Sequence, residues 1–336
     1  EIPMRAWLVE EPGAPEALEL KTIDDPKPGP DEILVDVRAV GINQADVLQR
    51  KGGYPPPNGF DVRRPGLEYA GEVAAVGDRV TARKVGERVM GLIGGGSYAE
   101  QLVVHEREAL TIPPHYDFEQ AAAMPEAFLT AYRGLFLVGE LAPGQWALVR
   151  GATSGVGQAG LQLIQAMGAR SIATSRQQAR LDEMEQRFKA IGFDKAYDLG
   201  LEDGSEGVAK AVQEQTGGAH VVLDFVGGPA LADNLDALRP EGRQVQIGLI
   251  GGRKSDIDMG KLLMRRLSLV AMTMRSLPLE RKIMLAQMFD DRLLPLFEAG
   301  KLKPIVDRAF AFEEAVEAHR LMESGDHAGK LVLVRS

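Results

Sequence analysis

The sequence predicts an α/β protein of two domains, one β-rich and one a doubly wound six-stranded parallel sheet, on three observations. The first third carries short apolar or alternating runs punctuated by glycine and proline. From Trp146 onward, strand-like apolar runs alternate with segments of helical spacing, the pattern of a parallel sheet wound by right-handed crossovers. Between the first of those strands and the first helix lies Gly155-x-Gly157-x-x-Gly160. In a strand–turn–helix context such glycines allow a tight turn, close backbone approach to a pyrophosphate, and close packing of helix on strand.

Strands are predicted over 5–9, 18–23, 33–40, 68–76, 87–92 and 98–104. Turns fall at Gly77-Asp78 and Gly94-Gly95-Gly96, which suggests a compact antiparallel barrel or sandwich. A short helix over 43–51 and a proline-rich loop over 52–65 interrupt this pattern. Helices follow over 118–124 and 127–137, with Pro125 between them. The parallel sheet takes 146–149, 171–174, 196–197, 221–225, 243–249 and 267–273, and its helices 158–167, 178–191, 206–215 and 230–238. A helix over 279–299, a strand over 309–312, a helix over 313–323 and a strand over 330–334 complete the chain.

The length of 336 residues suits two cores. With 39 basic against 48 acidic side chains, the formal net charge of -9 argues against general affinity for nucleic acid or anionic membrane. No apolar run approaches the roughly 20 residues of a membrane span, and no signal peptide is evident. The lack of cysteine excludes disulfides, thiolate catalysis and cysteine-held metals. A cytoplasmic location is expected.

The predicted cofactor is NADPH. The second strand of the parallel sheet ends Ala173-Thr174-Ser175-Arg176, and no acid follows until Asp182. A carboxylate there would accept hydrogen bonds from the adenosine ribose of NAD. Arg176, with Arg180 one turn on, would instead attract a 2′-phosphate.

The chain resembles the medium-chain dehydrogenase/reductase superfamily over essentially its whole length. The residues that carry this are Asn43-Gln44-Ala45-Asp46, Gly66-Leu67-Glu68-Tyr69-Ala70-Gly71 and Ala121-Ala122-Ala123-Met124-Pro125-Glu126-Ala127 with Thr130-Ala131-Tyr132. Ser154-Gly155-Val156-Gly157, Asp224-Phe225-Val226-Gly227-Gly228 and Ile247-Gly248-Leu249-Ile250-Gly251-Gly252 extend the match. Within the superfamily it looks like the zinc-free quinone oxidoreductases, the zeta-crystallin branch, with the p53-inducible quinone oxidoreductase type as the nearest likeness. The resemblance implies a GroES-like β-rich catalytic domain over 1–125 and 277–336, and a Rossmann nucleotide-binding domain over 126–276. Zinc-dependent relatives hold a catalytic metal with cysteine and histidine, where this chain has Asn43 and Leu67. Their structural-zinc loop shrinks here to Gly94-Gly95-Gly96. His105, His115, His220, His319 and His327 show no ligand spacing, and His319 with Glu323 reads as a surface pair on one helix face.

The resemblance further implies that Asn43, Asp46 and Tyr54 line the nicotinamide and substrate pocket. Tyr54 either donates a hydrogen bond to the acceptor oxygen, stacks near the nicotinamide, or does both. Asn43 orients the carboxamide or the substrate, caps a helix, or serves as both. Asp46 contacts a ribose hydroxyl, holds a water, or is a structural acceptor. Where some quinone reductases carry a tyrosine this chain has Leu48, which leaves Tyr54 as the main phenol. Thr130 faces the nicotinamide; Ser154, Gly155, Val156 and Gly157 hold the pyrophosphate; Ser175, Arg176 and Arg180 hold the 2′-phosphate. Phe225 and Val226 meet the adenosine or the adjacent ribose, and Leu249 and Ile250 lie at the end of the fifth strand. Met272, Met274 and Leu277 border the substrate cleft or pack the core. The expected function is metal-free hydride transfer from NADPH to a quinone or another α,β-unsaturated carbonyl. The alternatives are an enoyl or acrylate-type reductase and a non-catalytic, crystallin-like NADPH-binding protein. The family commonly dimerises, so a homodimer through 267–273 is expected.

Overall fold

The computed structural model describes residues 3–204 and 207–336. The chain forms two compact units. The first runs up to Glu126 and resumes over Met274–Gly300 and Pro304–Ser336; the second comprises Ala127–Thr273 and Lys301–Lys303. In chain order the first unit supplies β1 (Met4–Val9), β2 (Leu18–Ile23), β3 (Glu32–Ile42), β4 (Glu68–Val76), β5 (Arg88–Leu92), β6 (Gln101–His105) and β7 (Leu110–Thr111). The second supplies β8 (Trp146–Val149), β9 (Arg170–Ser175), β10 (Leu199–Glu202), β11 (Ala219–Asp224), β12 (Leu238–Gln246) and β13 (Ser268–Ala271). Returning to the first unit, the chain adds β14 (Val306–Ala311) and β15 (Lys330–Val334).

In the first unit β1 and β2 pair antiparallel, and seven strands form a sheet ordered β14-β15-β3-β4-β5-β7, with β6 also on β3. Ile33, Val35 and Val37 alternate inward along β3 and meet Tyr69, Val89, Leu102 and Leu333 in one core. Beyond Ala39 every residue of β3 is buried. The buried end of this strand delivers the chain into α1 (Gln44–Arg50), with Asn43 as its N-cap.

The second unit is an all-parallel sheet ordered β10-β9-β8-β11-β12-β13. That is the doubly wound order, whose switch point lies between β8 and β11 at the carboxyl ends. The predicted fold class is therefore borne out. Several elements differ from expectation. The strand placed at 196–197 lies at Leu199–Glu202, because Tyr197 turns its ring under Gly200 and strand pairing begins only at Leu199 with Ile172. Pro125 does not separate two helices; it opens the second (Pro125–Tyr132), where its missing N–H costs nothing. That helix runs into a wide π turn over Arg133–Val138, closed by Gly139 N–H donating to Gly134 O at 2.9 Å. The helix over 279–299 is likewise broken by a π turn at Phe289–Leu293, just before Pro295 withholds an N–H. A helix at Met259–Arg265 was not anticipated; it buries none of its residues. Of the helix predicted over 206–215, Glu206 lies outside the described residues and the rest forms Ala209–Thr216.

Candidate active site

In the second unit the glycine-rich turn joins β8 to α4, the helix Gly155–Ala166. Ser154 caps that helix, its Oγ accepting the Gly157 N–H at 3.0 Å. A methyl group on Gly157 would lie 2.7 Å from the carbonyl oxygens of Gly151 and Ala152, so only glycine fits. Gly160 is less constrained, since a methyl there would first meet Leu135 at an ordinary 3.5 Å. The tight glycine is therefore the one in the turn after β8, not the one facing the strand.

Around this turn the other carboxyl ends converge. Ser175 closes β9 and is buried, while Arg176 follows exposed. Among the described residues Arg176 has no ion-pair or hydrogen-bond partner, so its charge is available for an anion; Arg180 stands on the helix Gln178–Ala190. At the end of β11 the buried Asp224 carboxylate accepts the N–H groups of Val226 at 2.7 Å and Gly227 at 3.1 Å. The loop so fixed zips to the one after β12, with Ile250 N–H on Phe225 O at 3.1 Å and Gly251 N–H on Val226 O at 2.8 Å. Phe225, Val226, Leu249 and Ile250 are thus brought together, and Ile250 is exposed at the tip. Thr130 is buried, and its Oγ1 has no hydrogen-bond partner, an orphan hydroxyl of the kind a ligand satisfies. Met272 is buried against Gly134 in this unit, and Met274 is buried in the other. The orphan hydroxyl, the glycine-rich turn at a helix N-terminus and the unpaired arginine fit a dinucleotide.

In the first unit Asn43 stands in a buried polar cage. Lys330 Nζ donates to Asn43 Oδ1 at 2.5 Å, to Glu68 Oε2 at 2.7 Å and to Ile42 O at 3.3 Å. Asn43 Nδ2 donates to Glu68 Oε2 at 3.0 Å and Gly41 O at 3.3 Å, which uses both its N–H groups. Of the roles open to Asn43, those needing its N–H groups for a ligand are taken up by the protein itself; one lone pair on Oδ1 remains. Glu68 Oε1 accepts the Glu126 N–H at 2.8 Å. The cage does not fit a zinc ion, because a carboxylate and a neutral amide already enclose an ammonium. Among the described residues no group of three or more His, Asp or Glu could hold a metal.

One turn along α1, Asp46 Oδ2 accepts the Asn43 N–H at 2.8 Å and the Tyr98 hydroxyl at 3.3 Å, while Oδ1 has no partner. Tyr98 lies 3.0 Å from His319 Nε2, and Arg50 Nη1 lies 3.1 Å from His319 Nδ1. Arginine can only donate, so Nδ1 is the acceptor and the proton sits on Nε2. Every hydrogen bond in the chain Arg50–His319–Tyr98 then points toward Asp46. Burial first, and then Arg50, hold His319 down to about 3, which keeps it neutral. The surface pairing expected of His319 with Glu323 is corrected: His319 is buried, and both residues bind Arg50 instead.

Burial pushes the Asp46 carboxyl up from 3.8 to about 6, against the opposing pull of Asn43 N–H, Arg275 and Lys330. Between those two values the folded protein keeps a proton that the unfolded chain has released. Stability from this group is therefore full below pH 4 and declines as pH rises through 6, by about 3 kcal/mol. Asp46→Asn keeps an acceptor oxygen and removes the charge. Urea midpoints should place this variant level with the parent at pH 4 and above it at pH 8; a parallel pH dependence in both would refute the assignment.

Tyr54 is half-buried, and its hydroxyl has no hydrogen-bond partner among the described residues. Arg275 lies across its ring, with Cζ 5.4 Å from the centroid. Nε of Arg275 donates to Gly94 O at 2.6 Å, Nη1 to Tyr54 O at 3.2 Å, and Nη2 to Gln49 Oε1. Gln49 in turn donates to Val62 O at 2.9 Å, so α1 and Arg275 fasten the proline-rich loop. Among the described residues Arg275 has no carboxylate within 4.0 Å, and it brings its positive charge beside the phenol, with Asp46 and Glu126 acting on it from farther off. Burial raises the Tyr54 phenol and Arg275 pulls it back. Sequence reasoning missed Lys330 and Arg275 entirely. No local pattern signals either one, since Lys330 meets Asn43 from 287 positions away and Arg275 meets Tyr54 from 221.

A doubly wound sheet with a glycine-rich turn at the start of its first helix is the arrangement expected of a dinucleotide-binding oxidoreductase. Residues 29–114 match the family described as alcohol dehydrogenase GroES-like domain, and residues 191–333 the one described as zinc-binding dehydrogenase. The chain belongs to the medium-chain dehydrogenase/reductase superfamily, whose reductases use NAD(P)(H). A quinone oxidoreductase of Pseudomonas aeruginosa is 33% identical over 330 residues, covering 96% of this chain and 97% of that protein. The human synaptic vesicle membrane protein VAT-1 homolog is 30% identical over 323 residues, 92% of this chain and 80% of that one. The crystal structure of the Pseudomonas syringae pv. Tomato DC3000 quinone oxidoreductase matches with a TM-score of 0.86 at 30% identity, over 98% and 99% of the two chains. That of CurK enoyl reductase matches with a TM-score of 0.84 at 26% identity over 100% of both.

Proposed function

We propose that the protein is an NADPH-dependent reductase that delivers hydride, without a metal, to quinones or other α,β-unsaturated carbonyls. The observation that carries this reading is the Tyr54 phenol, its hydroxyl without a partner among the described residues and its ring against the buried Arg275. When bound, the reduced nicotinamide supplies the hydride. Conjugated acceptors delocalise the charge they gain, so the protein's share is positioning, exclusion of water and a hydrogen bond to the acceptor oxygen. Tyr54 donates that bond, and Arg275 steadies its loop and favours negative charge beside it. Thr130 and the turn 154–157 seat the cofactor, and Arg176 with Arg180 takes the 2′-phosphate. The likeness to quinone oxidoreductases at 30–33% identity supports this choice of acceptor. The likeness to an enoyl reductase favours, as a second reading, reduction of an enoyl thioester. A dimer through β13 is part of the proposal: this strand is the sheet edge, Leu269 is exposed on it, and Leu263 and Met264 are exposed close by in sequence.

Following NADPH absorbance with a simple quinone, an enone and an enoyl thioester tests the proposal. Turnover of the first two supports it, turnover of the thioester alone supports the second reading, and binding without turnover of any rejects both. Tyr54→Phe should lower kcat by about tenfold or less, with the proton then coming from solvent; a loss beyond a thousandfold would make the phenol the acid itself. Arg176→Ala should weaken NADPH roughly 10- to 150-fold while sparing NADH, the worth of one charge-assisted contact. Equal losses for both cofactors would reject the 2′-phosphate assignment.

A further inference from the structure

At the amino ends of the second unit's strands, opposite in the sheet to the phosphate turn, lies a cleft of about 380 Å³. Its walls include Glu140, Gln145, His220, Arg239, Glu241 and Arg243. His220 is the second residue of β11, and its Nδ1 lies 3.1 Å from the Trp146 N at the start of β8. Its Nε2 lies 2.9 Å from Arg239 Nη1, at the start of β12. A main-chain N–H and a guanidinium both only donate. A neutral imidazole has one donor and one acceptor nitrogen, so whichever nitrogen carries the proton, one N–H points at another. Flipping the ring presents carbon to both partners and loses both bonds. Protonating it makes matters worse, since the ring would then face two donors and a like charge; burial and Arg239 accordingly hold His220 below its usual value.

The acids of the cleft do not relieve this conflict. Glu140 pairs with Arg243 at 2.6 Å and Glu241 with Arg266 at 3.1 Å. Both glutamates stand at positive φ, 54° and 66°, a conformation that non-glycine residues rarely adopt. Each carboxylate is engaged by another arginine, and Arg239 is left with no carboxylate within 4.0 Å among the described residues. The cleft combines a cation without a counterion, an imidazole without an acceptor, and volume for a small molecule.

We infer that this cleft binds a small oxyanion, a carboxylate or phosphate group, held between the Nε2–H of His220 and the guanidinium of Arg239. An oxyanion accepts from both donors at once, frees Nδ1 to keep the Trp146 N–H, and supplies the missing negative charge. Because the site lies at the amino ends of the strands, its ligand is separate from any dinucleotide on the carboxyl-end turn, and it stands whether or not the proposed reaction is correct.

The test follows the His220 ring in ¹⁵N-labelled whole protein, its signals assigned with His220→Gln, at constant ionic strength with chloride as the reference anion. Inorganic phosphate is titrated in one arm and acetate in the other. Either ion should produce a saturable shift at Nε2–H with Nδ1 remaining unprotonated; a response in both arms assigns a general oxyanion site, and a response to phosphate alone a phosphate site. Arg239→Met should weaken the response roughly tenfold or more and leave NADPH oxidation unchanged. No saturable shift with either ion, or an equal affinity in Arg239→Met, would overturn the inference. Should that variant fail to fold, the wild-type titrations decide alone, since an absence of saturation in both is sufficient to reject the site.

Discussion

Lys330→Met should destabilise the protein by about 3–5 kcal/mol, the cost of stranding one member of a buried ion pair. The side chains of Lys330 and Glu68 are only 6% and 0% exposed, so water cannot take over from the missing ammonium. Glu68 would keep its bonds from Asn43 Nδ2 and the Glu126 N–H, but no countercharge. Asn43 Oδ1 would lose its donor as well, which loosens the start of α1 where Asp46 is held. In a thermal melt the loss corresponds to a fall of roughly 6–20 °C. The double variant Lys330→Met with Glu68→Gln removes the stranded charge and should recover half or more of the loss. A single variant within about 1 kcal/mol of the parent would mean that Glu68 is reached by solvent and that the cage is not a closed one.

Gly157→Ala should weaken cofactor binding while leaving most of the fold intact. Its methyl would press on two main-chain carbonyls at 2.7 Å, and neither can retreat without moving the turn from β8 into α4. Overpacking of this kind costs about 1–3 kcal/mol, and where it falls on the bound form it is a loss of roughly 5- to 150-fold in affinity. Fluorescence titration with NADPH measures it directly. Gly160→Ala is the internal control, because there the added methyl has 3.5 Å to its nearest neighbour and affinity should change little. Equal effects at both positions would show that helix propensity, not the phosphate turn, is what the glycines serve.

The fold was legible because its two halves carry different periods: alternation of buried and half-buried residues along β3, and helical spacing between apolar strands after Trp146. What escaped notice were elements whose burial is weak or whose backbone is irregular. Leu199–Glu202 is an edge strand without a fully buried residue, and Met259–Arg265 is a helix without one, so neither leaves a hydropathy signal. The π turns at Gly134 and before Pro295 depend on close neighbours and missing N–H groups rather than on pattern. For the site, the phosphate turn could be read locally because the chemistry and its structural context sit within one short stretch. Asn43, Asp46 and Tyr54 were reached only through resemblance. Their supporting partners, Lys330, Arg275, Tyr98 and His319, come from remote parts of the chain, and His319 read as a surface residue because its helix is polar around it.

The ammonium inside the Asn43–Glu68 cage bears on how such a protein exchanges one chemistry for another. Installing cysteine at position 43 would not by itself create a metal centre, because the final strand already threads a positive charge into the space a cation would need. Conversion would demand coordinated changes at Asn43, Leu67 and Lys330, residues drawn from opposite ends of the chain, and each change alone leaves a buried group unsatisfied. A zinc site in this cage is thus out of reach of any one of these substitutions alone.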